Sequence, residues 1–305
     1  DVLVLLPDDI LIEVAGQALE RFISSCWDIG LAVGSSVRTI EECAAEAARD
    51  VTVQTALLES RHITGPKRLF VALRERLGKD MDPRVFLRAK VLEMRQRHTK
   101  YDDTPYALEP NCKESPGGLR DLQILLWVAR AAGLGRSWAE LGAKGLVTPF
   151  EVKQLQRNEG VLKMIRARLH IVAGRREDRL VFDLQTAVAE SFGFAPLKGQ
   201  RVSEQLMRRY YWAAKAVVQL NQILLLNIEE HIAGEDAPPM RKLSDRFFDR
   251  GGMIEVASDD LYLREPHAIL ETFLVYTQVV GVKALSARTL RALYNARHVM
   301  NAKFR

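Results

Sequence analysis

DVLVLLP, Asp1 to Pro7, is an apolar run behind one acid and closed by a proline, and it predicts a buried strand. Working outward, Ile10, Leu11, Val14, Ala15, Ala18, Leu19, Phe22 and Ile23 recur at helical spacing between Asp8 and Trp27. Asp8 and Asp9 are suited to the start of that helix. Gly30 to Thr39 (GLAVGSSVRT) predicts a second strand, and Thr39 followed by Glu42 predicts a capping box opening a short helix to Ala48. Strand, helix, strand, helix is an α/β unit.

Beyond about residue 80 the pattern changes, and no strand is expected there. Pro83 sits where a helix begins, and Val85, Leu87, Ala89, Val91, Leu92 and Met94 carry it towards His98. A turn-rich loop from Tyr101 to Gly118 holds Pro105, Pro110, Pro116, Gly117 and Gly118. Helical patterns resume at Leu119–Ala132, Pro149–Ala173, Val202–Ile232, Pro266–Gln278 and Ser286–Val299. Ala233–Pro239 (AGEDAPP) reads as a flexible break between helices. The expected fold is α+β and predominantly α: an α/β core over residues 1–80, then helical bundle over 81–305.

With 48% hydrophobic and 27% charged residues over 305 positions, the chain has the composition and length of a globular protein with room for two domains. No stretch approaches the roughly 18 uncharged apolar residues of a membrane span, so an integral membrane protein is not expected. Cys26, Cys43 and Cys112 are too few and too widely spaced for a disulfide scaffold or zinc knuckle, which points to a reducing cytoplasm. The chain opens without Met inside an apolar run, and so reads as part of a longer polypeptide.

The net charge of +5 conceals an asymmetry: residues 1–60 carry −8 and the remainder +13. The acidic segment fits carboxylates gathered for a metal, and the basic remainder a phosphate or an acidic partner; solvated helix faces are the plainer reading. No aromatic residues interleave with the basic ones as a single-strand nucleic-acid platform requires, so nucleic acid is not the expected partner.

Asp1 heads an apolar strand, where a carboxylate is costly unless it faces an open edge or binds a cation. Asp28 and Asp50 stand at element boundaries, where capping or turn formation competes with a metal role. Glu109 to Asp121 (EPNCKESPGGLRD) sets a tight turn before a helix start, flanked by Lys113 and Arg120, an arrangement suited to an anion such as a triphosphate. It lacks P-loop spacing, and a structural helix entry with surface charges explains it equally. The six histidines stand singly, none followed by Asp, and no GxSxG elbow is present.

Several stretches are familiar together: DVLVLL at Asp1, VGSSVRT at Val33–Thr39, DVTVQTALLESR at Asp50–Arg61, and KESPGGLRD at Lys113–Asp121. RLVFDLQ at Arg179–Gln185, YYWAAKAVVQLNQILLL at Tyr210–Leu226 and LSARTLRALYNAR at Leu285–Arg297 follow in order. Across essentially its whole length the chain resembles the bacterial PII uridylyltransferase/uridylyl-removing enzyme family.

The resemblance implies a first domain similar to the polymerase β-type nucleotidyltransferases, transferring UMP from UTP to a tyrosine of the PII signalling protein. Such enzymes carry Asp-x-Asp on one strand and a third carboxylate nearby. The paired acids lie on one strand face about 7 Å apart, placed to share Mg²⁺. Asp1 corresponds to the second acid of the pair, since Leu3 stands two residues on; the first, with a Gly-Ser helix, is expected upstream. The third is Asp28 or Asp50, with Asp50 preferred. Asp1 and Asp50 are thus the expected catalytic carboxylates, Asp28 the alternative metal ligand, and Lys113 and Arg120 the candidate UTP contacts. UMP removal by a His-Asp domain and glutamine sensing by ACT domains are expected outside residues 1–305, leaving this piece inactive alone. The rivals are an adenylyltransferase acting on another protein, a non-catalytic helical interaction module, and an RNA-modifying nucleotidyltransferase.

Overall fold

The computed structural model describes residues 1–7, 12–31, 33–234, 238–302 and 304. The chain divides into two units, Asp1–Ala89 and Lys90–Arg305. Asp8, Asp9, Ile10, Leu11 and Ala32 lie outside the described residues, as do 235–237 of the expected break.

In the first unit, strand β1 (Val2–Leu5), helix α1 (Ile12–Asp28) and strand β2 (Ser35–Arg38) reproduce the expected strand–helix–strand. The strands run parallel, with Val2 opposite Ser35 and Leu5 opposite Arg38. The first strand is less buried than its apolar run predicts: its four residues are half-buried and only Leu6 beyond it is enclosed. A parallel pair needs cover on both faces and further strands beside it, and two strands provide neither.

Thr39 opens α2 (Ile40–Arg49) by the predicted capping box: Glu42 N donates to Thr39 Oγ1 at 3.2 Å and Thr39 N to Glu42 Oε2 at 2.8 Å. Helices α3 (Val51–Glu59) and α4 (Lys67–Asp80) follow. Cys43 and Ala47 of α2, Leu57 of α3 and Leu73 of α4 form a small core, joined by Leu3 and Leu5 from β1. On its surface Arg76 holds Glu41 at 2.9 Å and also Asp80. Asp82 Oδ1 accepts from Arg84 N at 2.8 Å and starts α5 (Pro83–Lys100) where the proline predicts, and the division between units falls within this helix.

The second unit is built around α8 (Pro149–Ala173) and α10 (Val202–Ala233), with α6 (Leu119–Ala131), α7 (Trp138–Ala143) and α9 (Phe182–Ser191) packed beside them. α8 has both its ends written in sequence: a Thr148/Glu151 capping box with Pro149 at the first turn, and Gly174 in the left-handed region at its end. Leu155, Leu162, Ile165, Leu206, Val217 and Leu220 are wholly enclosed, each worth about 1.5–3 kcal/mol of apolar burial.

The expectation of an all-helical remainder is corrected after residue 239. Strands β3 (Met240–Lys242), β4 (Phe247–Arg250), β5 (Met253–Val256) and β6 (Ala284–Leu285) form a sheet in that order, antiparallel except for the last pair. The strands are two to four residues long, too short to show alternation, and the available signal was Gly251–Gly252 between two apolar runs. Helices α11 (Leu261–Arg264), α12 (Ala268–Gln278) and α13 (Ala287–Ala296) complete this part, with Phe247, Ile254, Val256, Tyr262 and Ile269 at its core. Arg291 of α13 donates to buried Glu151 Oε1 at 2.8 Å and to Leu146 O at 3.0 Å, tying it to the start of α8. The whole is α+β and predominantly α, as expected.

Candidate functional site

The three carboxylates expected to bear metal lie in the first unit. Asp1 is exposed at the head of β1, and its carboxylate lies over Gly34, where a Cβ would come within 2.6 Å of Asp1 Oδ1. Asp28 is the exposed last residue of α1. Asp50 ends α2, donating its N–H to Glu46 O at 3.0 Å, and begins α3, accepting from Thr52 N through Oδ1 at 2.6 Å.

Among the described residues, no three His, Cys, Asp or Glu side chains gather as a metal site requires, so Asp1, Asp28 and Asp50 do not form one ligand set. These residues do not by themselves fit Mg²⁺. For Asp50 the geometry gives the capping role. Asp50→Ala should therefore lower stability by about 1 kcal/mol in a thermal melt, whereas Asp50→Asn, an equally good cap, should leave it unchanged. Loss of Mg²⁺-dependent UTP binding in Asp50→Asn would instead identify a ligand.

In the second unit, the EPNCKESPGGLRD stretch folds into a closed clasp. Asn111 Oδ1 accepts from Lys113 N at 3.0 Å and Glu114 N at 2.8 Å, and Ser115 Oγ accepts from Asn111 N at 2.9 Å. Cys112 N donates to Asp178 O at 2.8 Å, which fixes the clasp to the segment before α9. The helix start that was expected to present free N–H groups is saturated. Gly117 N donates to Asp121 Oδ2 at 2.7 Å, Gly118 N to Ser115 O at 2.8 Å, Leu119 N to Cys112 O at 3.1 Å and Arg120 N to Lys113 O at 2.8 Å. The triphosphate argument for Lys113 and Arg120 thus loses its backbone donors. Arg120 instead meets Glu114 at 3.2 Å and Gln123 at 3.0 Å and lies over the Trp127 ring at 5.2 Å, while Lys113 stands 3.4 Å from Glu114.

Asp121, wholly buried, is the centre of the clasp. Its Oδ1 accepts from Arg97 Nη2 at 2.5 Å and lies 2.9 Å from His98 Nε2, and its main-chain O accepts from Asn221 Nδ2 of α10 at 2.8 Å. Burial pushes the Asp121 carboxyl up, but the His98 hydrogen bond and the Arg97 charge outweigh it and hold it below the usual carboxylate range. Asp178 repeats the arrangement with Arg166 at 2.6 Å and His170 at 3.1 Å; these partners again overcome desolvation and lower its carboxyl. Cys112 lies enclosed beside it, its thiol pushed up to about 12 by burial, which makes it an inert packing group.

Sequence reasoning missed both His-Asp contacts because the partners, 23 and 8 positions apart, meet only across a turn of the chain; the nearest signal was Arg166 and His170 on one face of α8 at i,i+4 spacing. The clasp has the chemistry of a structural joint: its acids Glu114, Asp121 and Asp178 are each paired with a cation, and the N–H groups of its helix start are taken within it.

Comparison with known proteins brings the same elements together. The family description "GlnD PII-uridylyltransferase" matches residues 85–225, and "Uridylyltransferase GlnD third domain" matches residues 247–305. A protein named bifunctional uridylyltransferase/uridylyl-removing enzyme from Cupriavidus pinatubonensis is 62% identical over 287 residues, 94% of this chain and 33% of its own length. Proteins of the same name from Cupriavidus metallidurans and Burkholderia mallei are 60% and 59% identical, each over 100% of this chain and 36% of their own. The chain therefore spans about a third of the length of these relatives. No solved structure matches it.

Proposed function

Because this chain belongs to the GlnD uridylyltransferase family, we propose that it serves a bifunctional enzyme that transfers UMP from UTP to the PII protein and removes it again. The observation that carries the reading is 60% identity sustained over all 305 residues, across both units and the family's order of segments. In this reading the enzyme works in the cytoplasm in nitrogen signalling, with glutamine as effector through parts of the polypeptide outside this chain. No described helix is long and apolar enough to cross a membrane.

Within such an enzyme, Asp1 is our candidate for one carboxylate of a magnesium site, the other ligands coming from length that the relatives have and this chain does not span. In this reading the second unit has a positioning role, supported by the clasp that joins α5, α6 and α10. The chain alone should then bind its protein substrate without modifying it.

The test is transfer of labelled UMP from UTP to PII by the full-length enzyme, with ATP as competitor. Transfer that UTP supports and ATP does not displace is the expected result; a preference for ATP would sink the uridylyl reading in favour of an adenylyltransferase. Asp1→Asn in the same enzyme should abolish UMP transfer while leaving the fold and UMP removal intact. Retained transfer would remove Asp1 from the metal site.

A further inference from the structure

Loop residues 101–118, α9 and α10 enclose an open groove of about 500 Å³ in the second unit. Its walls are fixed from behind. Buried Gln185 donates through Nε2 to Leu108 O at 2.9 Å and Leu180 O at 3.1 Å, Tyr211 OH donates to Ala107 O at 3.1 Å, and Phe182 N to Glu109 Oε1 at 2.8 Å. A groove held by bonds between residues 73 to 104 positions apart is formed before anything enters it, which lowers the ordering cost of binding.

Its mouth is unusually apolar for a surface. Trp212, Leu108 and Phe182 line it and are 70%, 67% and 56% exposed. Arg201 and Arg208 stand beside them on the rim, exposed and, among the described residues, without an ion pair. Glu204, the acid among the lining residues, turns its carboxylate to the Arg201 backbone N–H at 3.3 Å. Of the eight charged side chains from Phe182 to Lys215, five are basic. Exposed Trp212 beside exposed Arg, with half-buried Tyr211 behind them, is the composition that dominates binding energy at protein interfaces. A small-molecule site would instead enclose most of its ligand, and these three rim side chains face solvent.

We propose that this groove is the docking site for the protein substrate, taking an acidic segment of PII whose apolar side chain packs against Trp212 and Phe182 while its carboxylates meet Arg201 and Arg208. The assignment rests on the transferase reading above and adds to it the surface by which the substrate is held.

The test compares full-length wild-type enzyme with Trp212→Ala and with the double variant Arg201→Glu/Arg208→Glu, measuring PII binding by calorimetry and transfer kinetics separately. All three substituted side chains are exposed, so melting temperatures should not move. The expected result is a rise of tenfold or more in both Kd and KM for PII, with kcat and KM for UTP unchanged. Variants that bind PII as the wild type does would overturn the docking assignment and leave the transferase reading standing. A rise in KM for UTP alone would overturn it also, making the groove a nucleotide site. Should the wild type bind PII without transferring UMP, the transferase reading fails, and the binding comparison alone still decides the groove. If the wild type binds no PII, the docking assignment falls.

Discussion

Asp121→Asn should cost the second unit about 3–5 kcal/mol, the range for removing one partner from a buried charge pair. Both carboxylate oxygens of Asp121 face donors: Arg97 Nη2 on Oδ1 and Gly117 N on Oδ2. An amide offers one acceptor and one donor, so in either orientation its NH₂ is driven against an N–H. His98 can change tautomer to relieve its own contact; a guanidinium and a backbone amide cannot. Differential scanning calorimetry should show a fall of roughly 10 °C in the melting temperature.

The acid limb offers a second check on the same group. The folded carboxyl lies below its unfolded value near 3.9, so its contribution is complete above that value and is lost as pH falls through the folded one. Wild-type stability should therefore decline below about pH 4, with Asp178 acting in the same direction, and Asp121→Asn should decline less steeply. Equal slopes in the two proteins would show that Asp121 titrates normally.

Gly117→Ala is the second large effect. Gly117 has φ +78°, and a Cβ there would lie 2.3 Å from Ala214 O and 2.7 Å from Ala214 C on α10. Both are main-chain atoms in the interior of a 32-residue helix, so no rotamer change makes room. Left-handed strain and the overlap together should cost about 3 kcal/mol or more. Gly174→Ala is the matched control: φ is +64° with no atom within 4 Å, so it keeps the strain without the collision and should cost about 1 kcal/mol. Chemical denaturation of both variants separates the two contributions. Similar losses would mean that the clasp does not press on α10.

Several helix starts were legible in the sequence. Thr39 with Glu42, Pro83 and Pro149 each stand at the expected start of a helix, whereas α12 begins at Ala268, two residues past the expected Pro266. Local hydrogen bonding decides such boundaries, so local sequence carries them. The sheet of residues 240–285 was not legible, because β6 is two residues long and pairs with β5 across some thirty intervening positions. The candidate sites divide similarly. EPNCKESPGGLRD stood out as a turn before a helix, and it is one, but nothing local showed that Asp121 would take the Gly117 N–H and close the end to anions. Asp50 reads as either a cap or a ligand, and in the fold its Oδ1 accepts from Thr52 N as a cap does. The groove escaped notice because Leu108, Phe182 and Trp212 belong to three segments that only folding brings to one mouth.

The order of synthesis gives the clasp a particular history. Arg97 and His98 emerge before Asp121, and Gly117 with it, so the inner bonds can close at once. The outer ones, to Asp178 and Asn221, wait for about 60 to 100 further residues. At roughly 5–20 residues per second, that is a delay of several seconds to some twenty seconds on the ribosome. During it the nascent chain carries a finished turn with nothing behind it, and the arrival of α10 is the event that turns a local knot of hydrogen bonds into the keystone of the second unit.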